Sequence, residues 1–337
     1  MLFCGIDLHS NNCFVVVSDE TDKVLISKRV PNDLALILQL LAGYQASLFG
    51  IVIESTFNWY WLVDGLMEAG HSVHLANTTA IKQYDGLKYR GDESDARHLA
   101  HLLRLGLLPE GHIMPRGQRA VRDLARKRMQ LVQQRTAQIL SIETAFSRHT
   151  GSRISCNDIK RLQFSDIAAL GLEPGEARGI MANLSIMQAL QVQIDILEAE
   201  LAAHCKDVPD YRLLTSVVGI GKTLATVIVL ETGSIERFEN VGNYASYCRC
   251  VSSRHESNGK KKGEGNTKNG NRYLAWAFVE AANFAIRYCE AAQKFYQRKK
   301  AKRNMVVAIK AVAHKMARAC YHMLRSGEPF SVERCFA

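Results

Sequence analysis

The sequence predicts an α/β domain followed by a longer, mainly helical region. Two patterns predict it. Over the first hundred residues, short β-branched runs alternate with amphipathic stretches; from Arg116 onward, apolar residues recur at three- and four-residue spacing over long segments. A chain of 337 residues with 47% apolar content can build a substantial core, which excludes wholesale disorder. The length suits more than one domain, and we divide it into 1–110, a helical connector 111–207, and 208–337.

Leu2–His9, Cys13–Ser18 and Val24–Arg29 read as strands because polar turns separate short apolar runs, giving an antiparallel meander. Asp33–Tyr44 reads as a helix with Leu34, Ile37, Leu38 and Leu41 on one face. Phe49–Glu54 is a fourth strand, Tyr60–Ala69 a helix and Ser72–Ala76 a fifth strand; a helix follows over Asp92–Leu105. Three paired strands followed by alternating helices and strands is the order of a ribonuclease H-like domain.

Arg116–Arg148 reads as one long helix whose first turns are basic, with Arg116, Arg119, Arg122, Arg126, Lys127, Arg128 and Arg135 against Asp123. Asp166–Leu172 reads as a loop or short helix. Ile186–His204 carries Leu190, Ile194, Leu197 and Leu201 in a stripe; the two long helices could pair as a coiled coil or form an ordinary two-helix core. Tyr211–Thr232 places Gly219-Ile220-Gly221 between apolar helices, resembling a helix-hairpin-helix whose exposed amides, with Lys222, grip a phosphate. A plain structural turn is the alternative. Gly221-Lys222-Thr223 is not a P-loop, because Ser216 stands where that pattern needs glycine. A short helix at Val241–Tyr247, a basic glycine-rich loop over Ser252–Asn271, a helix at Arg272–Cys289 and a basic helical stretch at Lys294–Arg325 complete the chain.

The net charge of +10 is concentrated. Arg249 to Arg303 holds 14 Lys and Arg against 4 Asp and Glu, and the remaining residues carry 29 of each sign. Such an excess points to a polyanion, most simply nucleic acid. No uninterrupted apolar run reaches the roughly 18 residues of a membrane span; the best, Thr223–Leu230, is short. The N-terminus lacks the pattern of a signal peptide, so a soluble cytoplasmic protein with no membrane partner is expected. Nine cysteines without a CxxC pair read as reduced thiols.

Asp7 within the first strand and Glu54 at the end of the fourth are carboxylates in apolar surroundings, which are costly without a partner. Asp92 and Asp95, three apart, share a helix face; Glu93 points off it. In a ribonuclease H-like domain these four converge and could hold two Mg²⁺ ions roughly 3.5–4 Å apart for phosphoryl transfer. Asp92 could instead be a helix cap. His98 and His101 lack a metal-binding pattern and read as surface or core residues.

Asp7, Glu54 and Asp92-x-x-Asp95, in GIDLHS, VIEST and RGDESDARHLA, resemble the DEDD motif of the insertion-sequence 110 transposase family, including its insertion-sequence 1111 subgroup. The segments VVGIGKTLATVIVLETGSIERF, YASYCRC and SNGKKKGEGNTKNGNRYL look like that family's C-terminal domain. The resemblance covers nearly the whole chain. It implies a RuvC-like N-terminal domain, a coiled-coil connector and a C-terminal transposase domain bearing a nucleophilic serine that forms a covalent phosphoserine link to DNA. The matching serine is Ser257, with Asn258 intervening before Gly259, and Ser253 is the alternative. Val218 stands where the family usually has proline, and Ser246 where it commonly has glycine. The resemblance further implies homo-oligomers, dimers or tetramers, with a centre composed from different subunits. Its partners would be element ends, target DNA and an element-encoded guide RNA.

The reading is therefore a Mg²⁺-dependent transposase of a bacterial mobile element. Asp7, Glu54, Asp92 and Asp95 are its metal ligands and Ser257 its nucleophile. Arg116, Arg119, Arg122, Arg126, Lys127, Arg128, Gly219, Gly221, Lys222, Arg254, Lys260, Lys261, Lys262, Lys268 and Arg272 are its nucleic-acid contacts. A structure-specific nuclease using the same carboxylates and metal-activated water, such as a junction resolvase, is the rival.

Overall fold

The computed structural model describes residues 1–81, 91–251, 255–263 and 269–336, with the backbone alone for 255–257 and 261–263. The chain forms two compact units, Met1–Arg116 and Gly117–Ala337.

In the first unit β1 (Leu2–Leu8), β2 (Asn12–Asp19) and β3 (Val24–Pro31) form the predicted antiparallel meander. After α1 (Leu34–Leu41) come β4 (Leu48–Glu54), α2 (Tyr60–Glu68), β5 (Val73–Ala76), α3 (Asp92–Arg104) and the two-residue β6 (Glu110–Gly111). The sheet order is β3-β2-β1-β4-β5-β6, with β4 parallel to β1 and β5 parallel to β4. Strand side chains alternate between faces, and the two faces of this sheet have different covers. Ile6, Leu8, Cys13, Val15, Ile51 and Ile53 pack against α1 and α2 through Ile37, Leu41, Leu62 and Leu66. Phe3, Val52 and Ala76 pack on the opposite face against Leu99, Ala100 and Leu103 of α3.

The second unit is helical apart from one hairpin among its described residues. It contains α4 (Arg116–Thr150), α5 (Cys156–Ile159), α6 (Phe164–Ala168), α7 (Pro174–Cys205), α8 (Pro209–Thr215), α9 (Lys222–Thr232) and α10 (Val241–Tyr247). β7 (His255–Ser257) and β8 (Lys260–Gly263) precede α11 (Arg272–Tyr288), α12 (Glu290–Lys302), α13 (Met305–Ser326) and α14 (Val332–Phe336). Helices α4 and α7 run antiparallel. Arg128 meets Glu198, Arg135 meets Gln191, and Asn183 donates to Ser141 Oγ at 3.0 Å, so the paired numbers fall on one helix as they rise on the other. Ile139 and Ile142 pack there with Ile180, Leu184 and Met187.

Three boundaries differ from the sequence reading. Helix α7 begins at Pro174, twelve residues before Ile186. Proline at the first helical position starts a helix with its φ already set, and the Glu173 amide donates to Glu176 Oε2 at 3.2 Å. The single stretch Lys294–Arg325 is broken at Asn304, whose side chain caps α13 by accepting from the Val307 amide at 2.9 Å. The expected loop Ser252–Asn271 contains the hairpin β7–β8. Among the described residues one helix, α7, is long and apolar enough to cross a membrane by length and composition, a test that soluble core helices also pass.

Candidate active site

Phe3, Gly5 and Asp7 share one face of β1, and Gly50, Val52 and Glu54 share one face of β4. Both sets lie on the side covered by α3. Ile6 pairs with Ile53 in the parallel register, which brings Asp7 and Glu54 to the same end of the sheet. A Cβ at position 5 would stand 1.9 Å from Ala96 O and 2.9 Å from Ala100 N. Glycine there lets the backbone of α3 rest directly on β1, and the first turn of α3 arrives beside Asp7.

Asp92 does not cap that helix. The Gly91 amide donates to Ser94 Oγ at 3.0 Å, and Ser94 Oγ donates to Gly91 O at 2.7 Å. Asp92, Glu93 and Asp95 therefore sit inside the first turn, where the helix dipole favours anions. Glu93 turns away and accepts from Ser27 Oγ at 2.7 Å.

His9 joins the carboxylates. Its Nε2 lies 3.2 Å from Asp7 Oδ2 and 3.2 Å from Asp92 Oδ1. The His9 carbonyl accepts from Asn32 Nδ2 at 3.0 Å and Asn58 Nδ2 at 2.8 Å, which braces the loop after β1. Arg29 of β3 pairs with Asp92 and donates to Asn12 Oδ1 at 2.9 Å. Burial, and then Asp92 and Asp95, raise the Asp7 carboxyl above the ordinary aspartate range, against the opposing pull of His9 and Arg29. Burial, followed by Asp7 and Asp95, raises Glu54. At Asp92 burial acts upward, but the hydrogen bonds from Arg29 and His9 outweigh it and hold that carboxyl low. Partly desolvated carboxylates that repel one another favour a bound cation. Donor atoms of Asp7, His9 and Asp92 all lie within 4.8 Å of one another, and carboxylate oxygens with one imidazole nitrogen fit a divalent ion. His9 was not singled out in the sequence. It lies just past β1, and only the return of α3 gives it a role.

The second candidate region is the hairpin. Ser257 pairs with Lys260 across Asn258 and Gly259, whose φ values are 52° and 70°. Positive φ at both central residues defines a type I′ turn, for which Asn-Gly is the favoured sequence. Of Ser257, Lys261 and Lys262 only the backbone is described; Ser253, Arg254 and Lys268 lie outside the described residues.

The hairpin's neck is tied to the helices. The Arg249 guanidinium donates twice to Gly270 O, at 3.1 and 2.8 Å, and the Asn271 amide donates to Tyr247 O at 2.6 Å. Gly270 has φ 91°, and a Cβ there would stand 2.5 Å from Tyr247 O. Asn271 caps α11, and its Nδ2 donates to Glu231 Oε2 at 2.6 Å. Glu231 is only 3% exposed and also receives Arg126 Nε at 2.6 Å and Nη2 at 2.7 Å.

That ion pair is one of several contacts that engage the basic residues of α4. Arg119 is buried. Arg122 donates to Asp123 Oδ1 at 3.1 Å, Arg126 is held by Glu231, and Arg128 Nε donates to Glu198 Oε1 at 2.8 Å. Lys127 is exposed and donates to Gln130 Oε1 at 2.8 Å; Arg116 is exposed and pairs with Glu68 at 3.5 Å. Gly219 has φ 95°, and a Cβ would stand 2.5 Å from Ala281 O, so this glycine serves close packing on α11. Gly221 and Lys222 are exposed at the start of α9, as are Lys260 and Arg272 further along the chain.

Two comparisons with protein families bear on these sites. Residues 4–149 match a DEDD family model described as a transposase, and residues 211–297 match the transposase IS116/IS110/IS902 family. The chain is similar to a probable family 20 transposase of Pseudomonas aeruginosa, 24% identical over 278 residues, covering 79% of this chain and 80% of that protein. It is also similar to an insertion element IS110 uncharacterized 43.6 kDa protein of Streptomyces coelicolor, 27% identical over 144 residues, 42% of this chain and 36% of that protein.

Proposed function

The chain belongs to the IS110 family of transposases, enzymes that cut and join DNA, and from that premise we propose a Mg²⁺-dependent serine recombinase of a bacterial insertion sequence. The observation that carries the proposal is the convergence of Asp7, His9 and Asp92 beside Glu54 at one end of the sheet. The order β3-β2-β1-β4-β5, antiparallel then parallel, supports a RuvC-like, ribonuclease H-like reading of that domain. The antiparallel pairing of α4 with α7 supports a coiled-coil connector over 111–207.

Asp7, Glu54, Asp92 and Asp95 would hold two Mg²⁺ ions, with His9 as a further ligand or as the orienting partner of Asp7. Divalent ions there would stabilise charge developing on the phosphodiester and the leaving oxygen. The Ser257 hydroxyl, giving up its proton, bonds to phosphorus; the bond from phosphorus to the leaving sugar oxygen breaks, and that oxygen takes up a proton. Attack by a sugar hydroxyl on the phosphoserine reverses the step and joins the strand to a new end. Lys260, Lys261, Lys262 and Arg272, with Arg254 and Lys268, neutralise the phosphates. Gly221 and Lys222 contribute a helix N-terminus. The enzyme works in the bacterial cytoplasm as a homo-oligomer, guided by an RNA of the element.

The test traps protein on element-end DNA with Mg²⁺ and the element's flanking transcript. A covalent adduct mapped to Ser257, absent in Ser257→Ala and in Asp7→Ala, is the expected result. Cleavage without adduct, unchanged by Ser257→Ala, would instead establish a hydrolytic nuclease.

A further inference from the structure

Helices α12, α13 and α14 enclose an open groove of about 850 Å³. Its described lining includes five permanent cations, Lys299, Lys315, Arg318, Arg325 and Arg334, against one carboxylate, Glu328. Four of the five lie beyond Arg303, outside the stretch where the sequence concentrates its charge. We propose that this groove binds the phosphodiester backbone of a nucleic-acid strand. The proposal rests on the reading of the chain as a nucleic-acid enzyme, but uses none of the residues assigned to its chemistry.

The arrangement suits a strand better than a small anion. His314, Arg318, His322 and Arg325 recur at four-, four- and three-residue spacing, so they follow one face of α13. Eleven residues of helix cover about 17 Å, the axial run of about five phosphates in a B-form strand. A pocket for a free phosphate would converge its donors; here they are strung out. The Nζ atoms of Lys299 of α12 and Lys315 of α13 both lie 5.4 Å from the centre of the Phe295 ring, so one aromatic ring gathers the charged heads from two helices. Pro329 and Phe330 add apolar surface for sugars. Two of the cations are partly engaged: Arg325 donates to Phe238 O at 3.1 Å and pairs with Glu236 at 3.2 Å, and Arg334 pairs with Glu328 at 2.9 Å. Burial, then Arg318 and Lys315, push the His314 titration below its ordinary range, which agrees with positive charge gathered in the groove.

The test uses the full chain carrying Ser257→Ala, so that binding is read without cleavage and stays readable even if the proposed nucleophile is wrong. Fluorescent single-stranded DNA and RNA of one sequence are titrated at several salt concentrations. Lys299→Gln/Lys315→Gln/Arg318→Gln is expected to weaken binding at least about tenfold and to make the slope of log K against log salt shallower by about 2, since each single-strand phosphate contact contributes about 0.7. Loss on both probes, or on one alone, identifies which nucleic acid the groove holds. Glu328→Gln, an exposed neutralisation that releases Arg334, is expected to tighten binding and serves if the triple variant fails to fold. An unchanged affinity and slope in a folded triple variant, or no tightening by Glu328→Gln, overturns the proposal. So does loss of polyglutamate binding with nucleic-acid binding unmoved, which would assign the groove to an acidic protein.

Discussion

Asp7 is a carboxylate whose ionisation the metal-free fold resists, because it is desolvated and faces Asp92 and Asp95. A folded-state titration raised above the unfolded one means that the ionised group destabilises the fold at high pH, and that this penalty disappears once both states are protonated. Asp7→Asn should therefore raise the thermal midpoint in chelator near neutral pH. The gain should shrink as pH falls through the raised titration and vanish below the ordinary value of 3.8. Calorimetry across that range checks it, with transposition abolished in the same variant. A gain that grows on acidification would sink the electrostatic account. At this scale Asp7, Glu54 and Asp92 were legible because carboxylates stand out in apolar strands and first turns. His9 was not, since Asp92, which it bridges to Asp7, comes from a helix more than eighty residues away in sequence. The fates of Arg126 and Arg128 were hidden for the same reason: their partners, Glu231 and Glu198, lie far along the chain. Arg126→Ala leaves the buried Glu231 carboxylate without its main counter-charge, and should cost about 3–5 kcal/mol in urea unfolding.

Among elements, the seating of α3 on β1 is the contact that assembles the carboxylates. Gly5→Ala forces a methyl into the backbone of α3 and should cost more than about 3 kcal/mol, beyond the range of ordinary overpacking, because a helix backbone cannot turn aside as a side chain can. Chemical denaturation measures the loss, and an unperturbed variant would show that α3 is not seated as described. The five main strands were legible because β-branched runs with polar turns leave little ambiguity. The hairpin β7–β8 was not, since lysine-rich strands carry no apolar alternation, even though Asn258-Gly259 is a strong turn signal. The early start of α7 carries a weak local signal, since Gly175 and Gly179 lower helix propensity, yet Ile180 and Leu184 pack well enough on α4 to carry the helix through them.

Across the whole molecule the thiols report how closely each unit is packed. Of nine free cysteines, Cys156 is exposed and Cys289 half-buried. Burial raises the Cys250 thiol to about 12 and the Cys13 thiol to about 11, and it lifts Cys4 and Cys320 further. Thiolate is the reactive form, so native alkylation should mark Cys156 first and Cys289 slowly, with the rest reacting only in denaturant; peptide mass spectrometry reads the order. The ties at Arg249, Gly270 and Asn271 have a consequence for how such a chain can diversify. They join two points of the helical bundle by bonds that belong to the bundle, so the ends of the stretch between them are set by the bundle itself. Replacing it with a short glycine-rich turn should leave the melting of the bundle nearly unchanged. Descendants of one ancestral bundle could then vary the length and composition of that stretch without having to rebuild the helices that anchor it.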